Sequence, residues 1–407
     1  MAMIGRNVVA TLDAVVVGAG LFGSAAAKYI SSSGLKVAVI GACETSKAGK
    51  ATVFSSHYDE GRVQHQVDVD PTWTALNMHS VAQYDNLEKG SGVKFHTKSG
   101  CLYVSLYESD LYLDKLHENA AAIGMPAQVA NVERLRTDYD FFKFPDNARG
   151  YLEEEMAGHI NPRKLIEAQL RTMEKSGGVR VSDTVVGLLR HDSGMWHVHT
   201  ESNRVFATKN VLLAPGAFAN FNNLLPGELD LTLKGETVLL VGVSPAEAQR
   251  LRRMPSLLYE FETSEVEGVY MTPPIQYPAL GGKWFLKMGC NLASDGFFSS
   301  LPEVQNWFTG GNSDANMEIL AHTLHSFMPN LKTQQYITKR CILTRTPNRR
   351  QYIGKVDDHR GLFVATGGNG YSAMCSDAIG RIAAYALLND GQVPAPFSAD
   401  HFKPLWK

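Results

Sequence analysis

The sequence predicts an α/β chain in which a Rossmann-like unit is interleaved with a mixed-sheet α+β unit. Three observations lead there. Near the N-terminus a valine-rich strand runs into a glycine-spaced turn and a helix. Two later apolar runs end in glycine turns of the same design, one in the middle of the chain and one near its end. The stretches between them are richer in proline, aromatic residues and strand-like alternation.

Leu12 to Val17 is a short, almost wholly apolar run, as a strand buried on both faces should be. Gly18-Ala19-Gly20-Leu21-Phe22-Gly23 follows, then a helical Ser24 to Ile30, a stop at Gly34 and a second strand, Val37 to Ile40. In this βαβ unit Gly18 allows the tight turn, Gly20 lets the backbone approach a pyrophosphate, and Gly23 lets helix and strand pack closely. The first helical N–H groups, including those of Leu21 and Phe22, then face the phosphates. One expected element is missing. The acidic residue that should end the second strand and hold a ribose hydroxyl is Gly41, with Glu44 three residues on as a substitute.

Val211 to Gly216 predicts another buried strand ending in a glycine turn, and Gly361 to Gly368 repeats it before a helix over Asp377 to Leu388. The nucleotide-binding unit is therefore expected to be discontinuous, over 1–94, 150–225 and 332–407. The second unit takes 95–149 and 226–331, with strands such as Val269-Tyr270-Met271 and Trp284-Phe285-Leu286.

Composition narrows the function classes. The chain has 407 residues, with 39 Lys+Arg against 41 Asp+Glu, which argues against a nucleic-acid partner. With 18 Phe, 15 Tyr and 5 Trp there is ample core material, so a disordered chain is excluded. Five scattered cysteines predict neither a disulfide framework nor a metal site, and point to a reducing, cytoplasmic compartment. No apolar run is long enough to span a bilayer, so no membrane partner is expected. Ala14 to Ala27, after Arg6, has the look of a signal peptide, but its regularly spaced glycines favour the nucleotide turn.

Four clusters carry candidate chemistry. In Ser55-Ser56-His57-Tyr58-Asp59-Glu60-Gly61-Arg62 the arginine is suited to a phosphate, a carboxylate or a flavin ring; a plain polar surface loop is the other reading. In Trp284 to Gly289, Lys287 should face the opposite side from Leu286 and Met288, towards either solvent or a flavin. Cys341 precedes Ile342-Leu343-Thr344-Arg345-Thr346-Pro347, and a lone cysteine is usually a small core residue. Finally, Gly367-Gly368-Asn369-Gly370-Tyr371-Ser372 lies between a buried strand and a helix, where backbone N–H groups favour negative charge.

Taken in order along the chain, these clusters resemble the FAD-dependent amine oxidases typified by monomeric sarcosine oxidase, within the D-amino-acid-oxidase superfamily. The resemblance runs from Val15 to Leu387. It implies FAD bonded covalently through Cys341, an oxygen-activating role for Lys287, and a flavin-side loop of Ser56, His57 and Arg62. It also implies a flavin-binding turn at Gly367 to Ser372, with Gly216 nearby, and a monomer. The family's carboxylate anchors fall on His65 and Ser372, and its active-site histidine on Asn291. An imidazole and a hydroxyl are poor anchors for an anion, so sarcosine itself is not the expected substrate. Tyr58, His65, Tyr270, Asn291 and Ser372 are the candidate substrate contacts.

The expectation is thus a flavoprotein oxidase of a C–N bond in a secondary or tertiary amine, giving imine and hydrogen peroxide with oxygen as acceptor. Its rivals are a flavin dehydrogenase using another acceptor, a nicotinamide-dependent dehydrogenase and a noncatalytic flavin-binding protein.

Overall fold

The computed structural model describes residues 8–42, 44, 52–107, 111–125, 128–356 and 359–407. The first βαβ unit is β1 (Val8–Val17), α1 (Leu21–Ser32) and β2 (Val37–Gly41). β3 (Arg62–Gln64), α2 (Pro71–Ser91), β4 (His96–Thr97), β5 (Cys101–Ser105) and α3 (Leu111–Ala122) come next. They lead to β6 (Gln128–Ala130), α4 (Val132–Asp138), β7 (Arg149–Glu153), β8 (Gly158–Ile160) and α5 (Pro162–Lys175). The middle of the chain forms β9 (Val179–Ser182), β10 (Val185–Arg190), β11 (Trp196–Thr200) and β12 (Val205–Leu213). Then come β13 (Thr232–Val243), α6 (Pro245–Arg250), β14 (Ser256–Glu262), β15 (Val266–Tyr277) and β16 (Lys283–Leu292). The chain ends with β17 (Phe297–Phe298), α7 (Leu301–Thr309), α8 (Asp314–Phe327), β18 (Thr333–Arg345), β19 (Tyr352–Lys355), β20 (Leu362–Thr366), α9 (Ser376–Leu388) and α10 (Ala399–Phe402).

The first sheet has the order β10-β11-β12-β1-β2-β9, with β20 beside β12 and β19 beside β20. β1 pairs in parallel with both β2 and β12, and the second half of β12 pairs in parallel with β20. Alternation along β1 sends its side chains into two cores. Ala14 and Val16 pack towards α1 and α9 with Ala26, Ile30 and Ile379. Val15 and Val17 pack on the other face with Val198, Leu213 and Val364. This is the Rossmann-like layer expected from the valine-rich run.

Small residues let the helices approach closely. A Cβ on Gly380 of α9 would stand 2.3 Å from the Ala25 Cβ of α1. A buried carboxylate sits in this layer. Asp377 accepts from Lys28 Nζ at 2.6 Å, the Tyr29 hydroxyl at 2.6 Å and Gln169 Nε2 at 2.8 Å, tying α1, α5 and α9 together.

The second sheet runs β17-β13-β16-β15-β14-β5-β7-β6, with β18 on the other side of β13. β18 and β7 belong here, although the sequence boundaries at 331 and 149 grouped them with the nucleotide-binding unit. Hydrogen bonding decides this: β18 pairs with β13 from Thr232↔Arg345 to Val243↔Thr333. One face of the sheet is a continuous apolar core of Leu239, Val241, Met271, Leu286, Met288 and Cys290, closed by Leu320, Leu324 and Phe327 of α8. The opposite face carries the chemistry described below. A small sheet, β3-β8-β4, sets the start of β3 and hence Arg62.

Among the described residues, no helix is long and apolar enough to cross a membrane, and no cluster of histidine, cysteine or carboxylate side chains is arranged to hold a metal ion. Cys101, Cys290, Cys341 and Cys375 are free thiols. Cys43 lies outside the described residues.

Candidate active site

Three glycine turns meet at the carboxyl ends of β1, β12 and β20, where a doubly wound sheet takes its ligand. Gly18 has φ +103°, and a Cβ on it would come 2.3 Å from the Ala214 carbonyl oxygen. A Cβ on Gly23 would come 1.8 Å from the Gly18 carbonyl oxygen, so only glycine allows the helix to start there. Gly20 caps α1 with no side-chain hydrogen bond, unlike Asp70 on α2 or Asn161 on α5. No acidic residue stands in its first turn. The N–H groups of Leu21, Phe22 and Gly23 are therefore left for a ligand, and the cradle fits a dinucleotide pyrophosphate.

The other two turns close on this one. Thr366 Oγ1 donates to the Gly216 carbonyl at 3.0 Å, and a Cβ on Gly368 would lie 4.0 Å from the Phe22 ring. Asn369, in the left-handed region at φ +53°, accepts from Thr346 N at 2.9 Å through Oδ1. That bond joins the Gly367–Ser372 turn to the stretch after Cys341. Gly370 has φ +85° beside Leu343.

Gly41 cannot be replaced by the usual acid. A Cβ there would stand 2.4 Å from Ala19 N and 2.6 Å from Ala19 Cβ. Glu44 is nearby, but Arg163 grips both its oxygens, with Nε at 2.7 Å from Oε2. Arg163 also donates to Glu60 at 2.7 Å, and Glu60 accepts from Asn161 at 2.6 Å.

The second sheet supplies the other wall. Strand alternation places Lys287, Gly289 and Asn291 of β16 on the face away from the apolar core. The cross-strand partners Tyr270 and Thr272 of β15 share that face, as do Glu236 of β13 and Cys341 of β18. Lys287 is fully buried. Its Nζ donates to Asp59 Oδ2 at 2.7 Å and to the Gly61 carbonyl at 2.6 Å. Gly61 reaches it because its backbone lies against β15; a Cβ there would be 2.7 Å from Ile275 Cδ1.

Asp59 is the hub. Besides Lys287 it accepts from Arg62 Nη1 and from the Tyr277 hydroxyl at 2.9 Å. Burial alone would raise its carboxyl, but Lys287 and Arg62 together hold it well below the usual range. Burial pulls the Lys287 ammonium down to about 8, with Arg62 pushing the same way and Asp59 opposing both. The carboxylate gains from two cations, whereas at Lys287 burial and the Arg62 charge outweigh the one carboxylate. Arg62 also donates to the Ser56 carbonyl at 2.7 Å. His57 accepts from, or donates to, Ser55 Oγ at 2.6 Å, and its ring meets Tyr58 edge-on at 4.8 Å. Burial, then Arg163 and Arg62, lower His57 to about 3, so it is neutral at pH 7.

Cys341 is directly opposite Glu236, and Trp307 Nε1 donates to its carbonyl at 2.8 Å. Burial and the Glu236 charge raise its thiol, while Arg62 and Lys287 oppose them. Arg62, Cys341 and the neighbouring strands of Lys287 and Tyr270 are thus brought together from three distant parts of the chain; the Lys287 ammonium lies 5.5 Å from the Tyr270 ring centre.

The remaining candidates are held by other partners. Asn291 Oδ1 accepts from Lys234 Nζ at 2.8 Å and from Arg345 at 3.1 Å. Both donors are cations, so the oxygen must face them. His65 Nδ1 donates to the Val67 carbonyl at 2.8 Å. Ser372 Oγ accepts from Gln351 Nε2 at 2.9 Å, and the half-exposed Tyr371 meets Trp73 edge-on. The sequence reading gave no role to Asp59, Tyr277, Lys234, Glu236 or Arg345. Lys234 and Glu236 had a usable signal, two charges at alternate positions of an otherwise apolar strand. Asp59 and Tyr277 had none.

A dinucleotide cradle opening onto a wall with a buried ammonium defines a nucleotide-dependent oxidoreductase. The particular kind follows from comparison: the chain matches the FAD dependent oxidoreductase family over residues 13–386 and belongs to it. It is 23% identical over 383 residues to monomeric sarcosine oxidase of Streptomyces avermitilis, covering 93% of this chain and 94% of that one. A second relative, N-methyl-L-tryptophan oxidase of Yersinia pestis, is 25% identical over 205 residues, 50% of this chain and 53% of that protein. Among solved structures, the open form of NikD, an unusual amino acid oxidase essential for nikkomycin biosynthesis, aligns with a TM-score of 0.75. It is 16% identical over 97% of this chain and 98% of that one. Glycine oxidase from Geobacillus kaustophilus aligns with a TM-score of 0.71 at 18% identity, over 97% and 98% of the two chains. These two likenesses establish the shared fold. The cofactor is FAD, and the cradle described above fits it.

Proposed function

We propose that the chain is an oxidase of a C–N bond in a secondary or tertiary amine, with FAD attached through Cys341, oxygen as acceptor and hydrogen peroxide as co-product. One observation carries the reading: a fully buried ammonium, Lys287, on the sheet face that also bears Cys341. Burying a charge costs several kcal/mol, roughly, and a solvent-facing strand would need no such residue. The names of the two relatives, a sarcosine oxidase and an N-methyl-L-tryptophan oxidase, agree with an N-substituted amine and with oxygen.

FAD, when bound, supplies the two-electron acceptor for the hydride equivalent leaving the carbon next to nitrogen. The chain supplies position and charge. Gly18, Gly20 and the N–H groups of Leu21, Phe22 and Gly23 hold the pyrophosphate. Ser56, His57, Arg62, Gly216 and the Gly367–Ser372 turn line the rest of the cofactor. Lys287 holds a positive charge for the oxygen half-reaction, and Asp59 keeps that charge in place. Tyr270 and Asn291 stand on the substrate wall, with Tyr58 beside His57. The FAD-binding and substrate units follow the two large sheets. His65 and Ser372 serve as neighbours rather than as an anion clamp, so sarcosine is a poor substrate. The proposed state is a monomer.

The test is a visible spectrum of the purified protein, repeated after acid denaturation, with peroxide measured against amine consumed. A yellow pellet and one peroxide per amine support the reading. A yellow supernatant over a white pellet removes the role of Cys341, and turnover without peroxide makes the enzyme a dehydrogenase.

A further inference from the structure

The substrate's identity rests on a second buried charge, and this inference depends on the amine-oxidase reading above. β13 lies between β16 and β18, and its Glu236 stands in the middle of the chemical face. Tyr270 reaches over β16 to donate its hydroxyl to Glu236 Oε1 at 2.5 Å. It can do so because position 289 has no side chain; a Cβ there would stand 2.4 Å from the tyrosine oxygen. Glu236 is only 5% exposed. Among the described residues nothing donates to its Oε2.

The neighbouring cations are engaged elsewhere. Lys234 pairs with Asp295 at 2.6 Å and with Asn291. Lys287 and Arg62 share Asp59, and Arg345 is on Asn291. The side chain is buried, yet Oε2 is not one of the sealed-off atoms of the interior, so it stands open to a donor brought from outside the protein. Burial raises the Glu236 carboxyl, with Tyr270 and Lys234 opposing. At the two anchor positions, His65 and Ser372 offer an imidazole and a hydroxyl in place of a guanidinium fork and an ammonium, and each already shares a hydrogen bond, with Val67 and Gln351.

We infer that Glu236 receives the nitrogen of the substrate, and that the substrate class is a cationic amine recognised without an α-carboxylate. An ammonium N–H donates to Oε2. Transfer of that proton to the carboxylate then gives a neutral amine and a carboxylic acid, with no change in electron count. The lone pair so freed is what oxidation of the adjacent C–H bond requires.

The experiment uses FAD-loaded protein and two probes that share a tert-butyl group and differ in charge, tert-butylammonium and pivalate, with binding read from the visible spectrum. The carbon bearing the ammonium has no hydrogen to lose, so no turnover intervenes. Wild-type protein should bind tert-butylammonium in preference to pivalate. Glu236→Gln should weaken the ammonium about 10- to 100-fold, the range of one charge-assisted hydrogen bond, without weakening pivalate. Glu236→Asp should recover part of the loss. A preference for pivalate, no binding of either probe, or unchanged ammonium affinity in Glu236→Gln overturns the inference. FAD content checks that the variant folds; if it does not, the wild-type preference decides alone. The amine-oxidase reading fails by a separate sign, bound FAD that no amine reduces anaerobically.

Discussion

Lys287 Nζ and Asp59 Oδ2 meet at 2.7 Å across a sequence separation of 228 residues. The lysine comes from the second sheet and the aspartate from the loop before β3, so the pair fastens that loop to the sheet. Asp59 also holds Arg62, which makes it the common counter-ion of both candidate catalytic cations.

Lys287→Met should slow the oxygen half-reaction by about 100-fold or more, the scale of losing one preorganised electrostatic group. Anaerobic reduction of the cofactor by amine should be nearly unchanged. Stopped-flow measurement of the two half-reactions separates the roles; equal loss in both assigns Lys287 to structure. In the wild type, Lys287 is protonated below about 8 and neutral above it. The oxygen half-reaction should therefore fall as pH rises through that value.

Asp59→Asn removes the negative charge that opposes burial at Lys287. The lysine then loses its proton more easily, so the pH midpoint of the oxygen half-reaction should move below that of the wild type. Two buried cations are also left facing each other, and removing one partner from such a pair costs about 3–5 kcal/mol. Denaturant unfolding should show that loss, whereas an unmoved pH midpoint would sever Asp59 from the function of Lys287.

Cys341→Ser should leave FAD in the supernatant after acid denaturation, with mass spectrometry showing an unmodified chain. Native FAD content should fall too, because Gly41 offers no carboxylate to the ribose. A pellet that stays yellow in the variant would place the covalent bond elsewhere.

Gly289→Ala puts a methyl group where the Tyr270 hydroxyl now passes. The Tyr270–Glu236 bond should break while both residues remain. Affinity for amine should change, whereas FAD content and anaerobic stability of the cofactor should not. An unchanged amine affinity would mean that Tyr270 does not orient Glu236.

Asp377→Ala strands Lys28 in the core between α1 and α9. Their side chains are 1% and 8% exposed, so about 3–5 kcal/mol of stability should be lost. The Tm should drop by several degrees, roughly, and Lys28→Met in the same background should restore part of it. A drop of less than one degree would show the pair to be dispensable.

How much of this was legible beforehand depends on whether a feature is local. Glycine spacing and valine runs are local, and they located the cradle at Gly18, Gly20 and Gly23 together with the later turns at Gly216 and Gly367. Period-two alternation was enough to set Lys287 opposite Leu286 and Met288. The sheet boundary was not legible: β18 looks like the start of the last nucleotide-binding segment, and only its ladder with β13 puts it in the other sheet.

The sequence alone determined the fold class, the glycine turns and the side on which Lys287 stands, because backbone conformation and side-chain periodicity are written within a few residues. Tertiary structure decided which charges meet. Asp59 beside Lys287, Tyr270 crossing Gly289 to Glu236, and Arg163 closing over Glu44 are contacts between distant strands and loops. Their energies depend on burial and shared counter-ions, which no local pattern encodes.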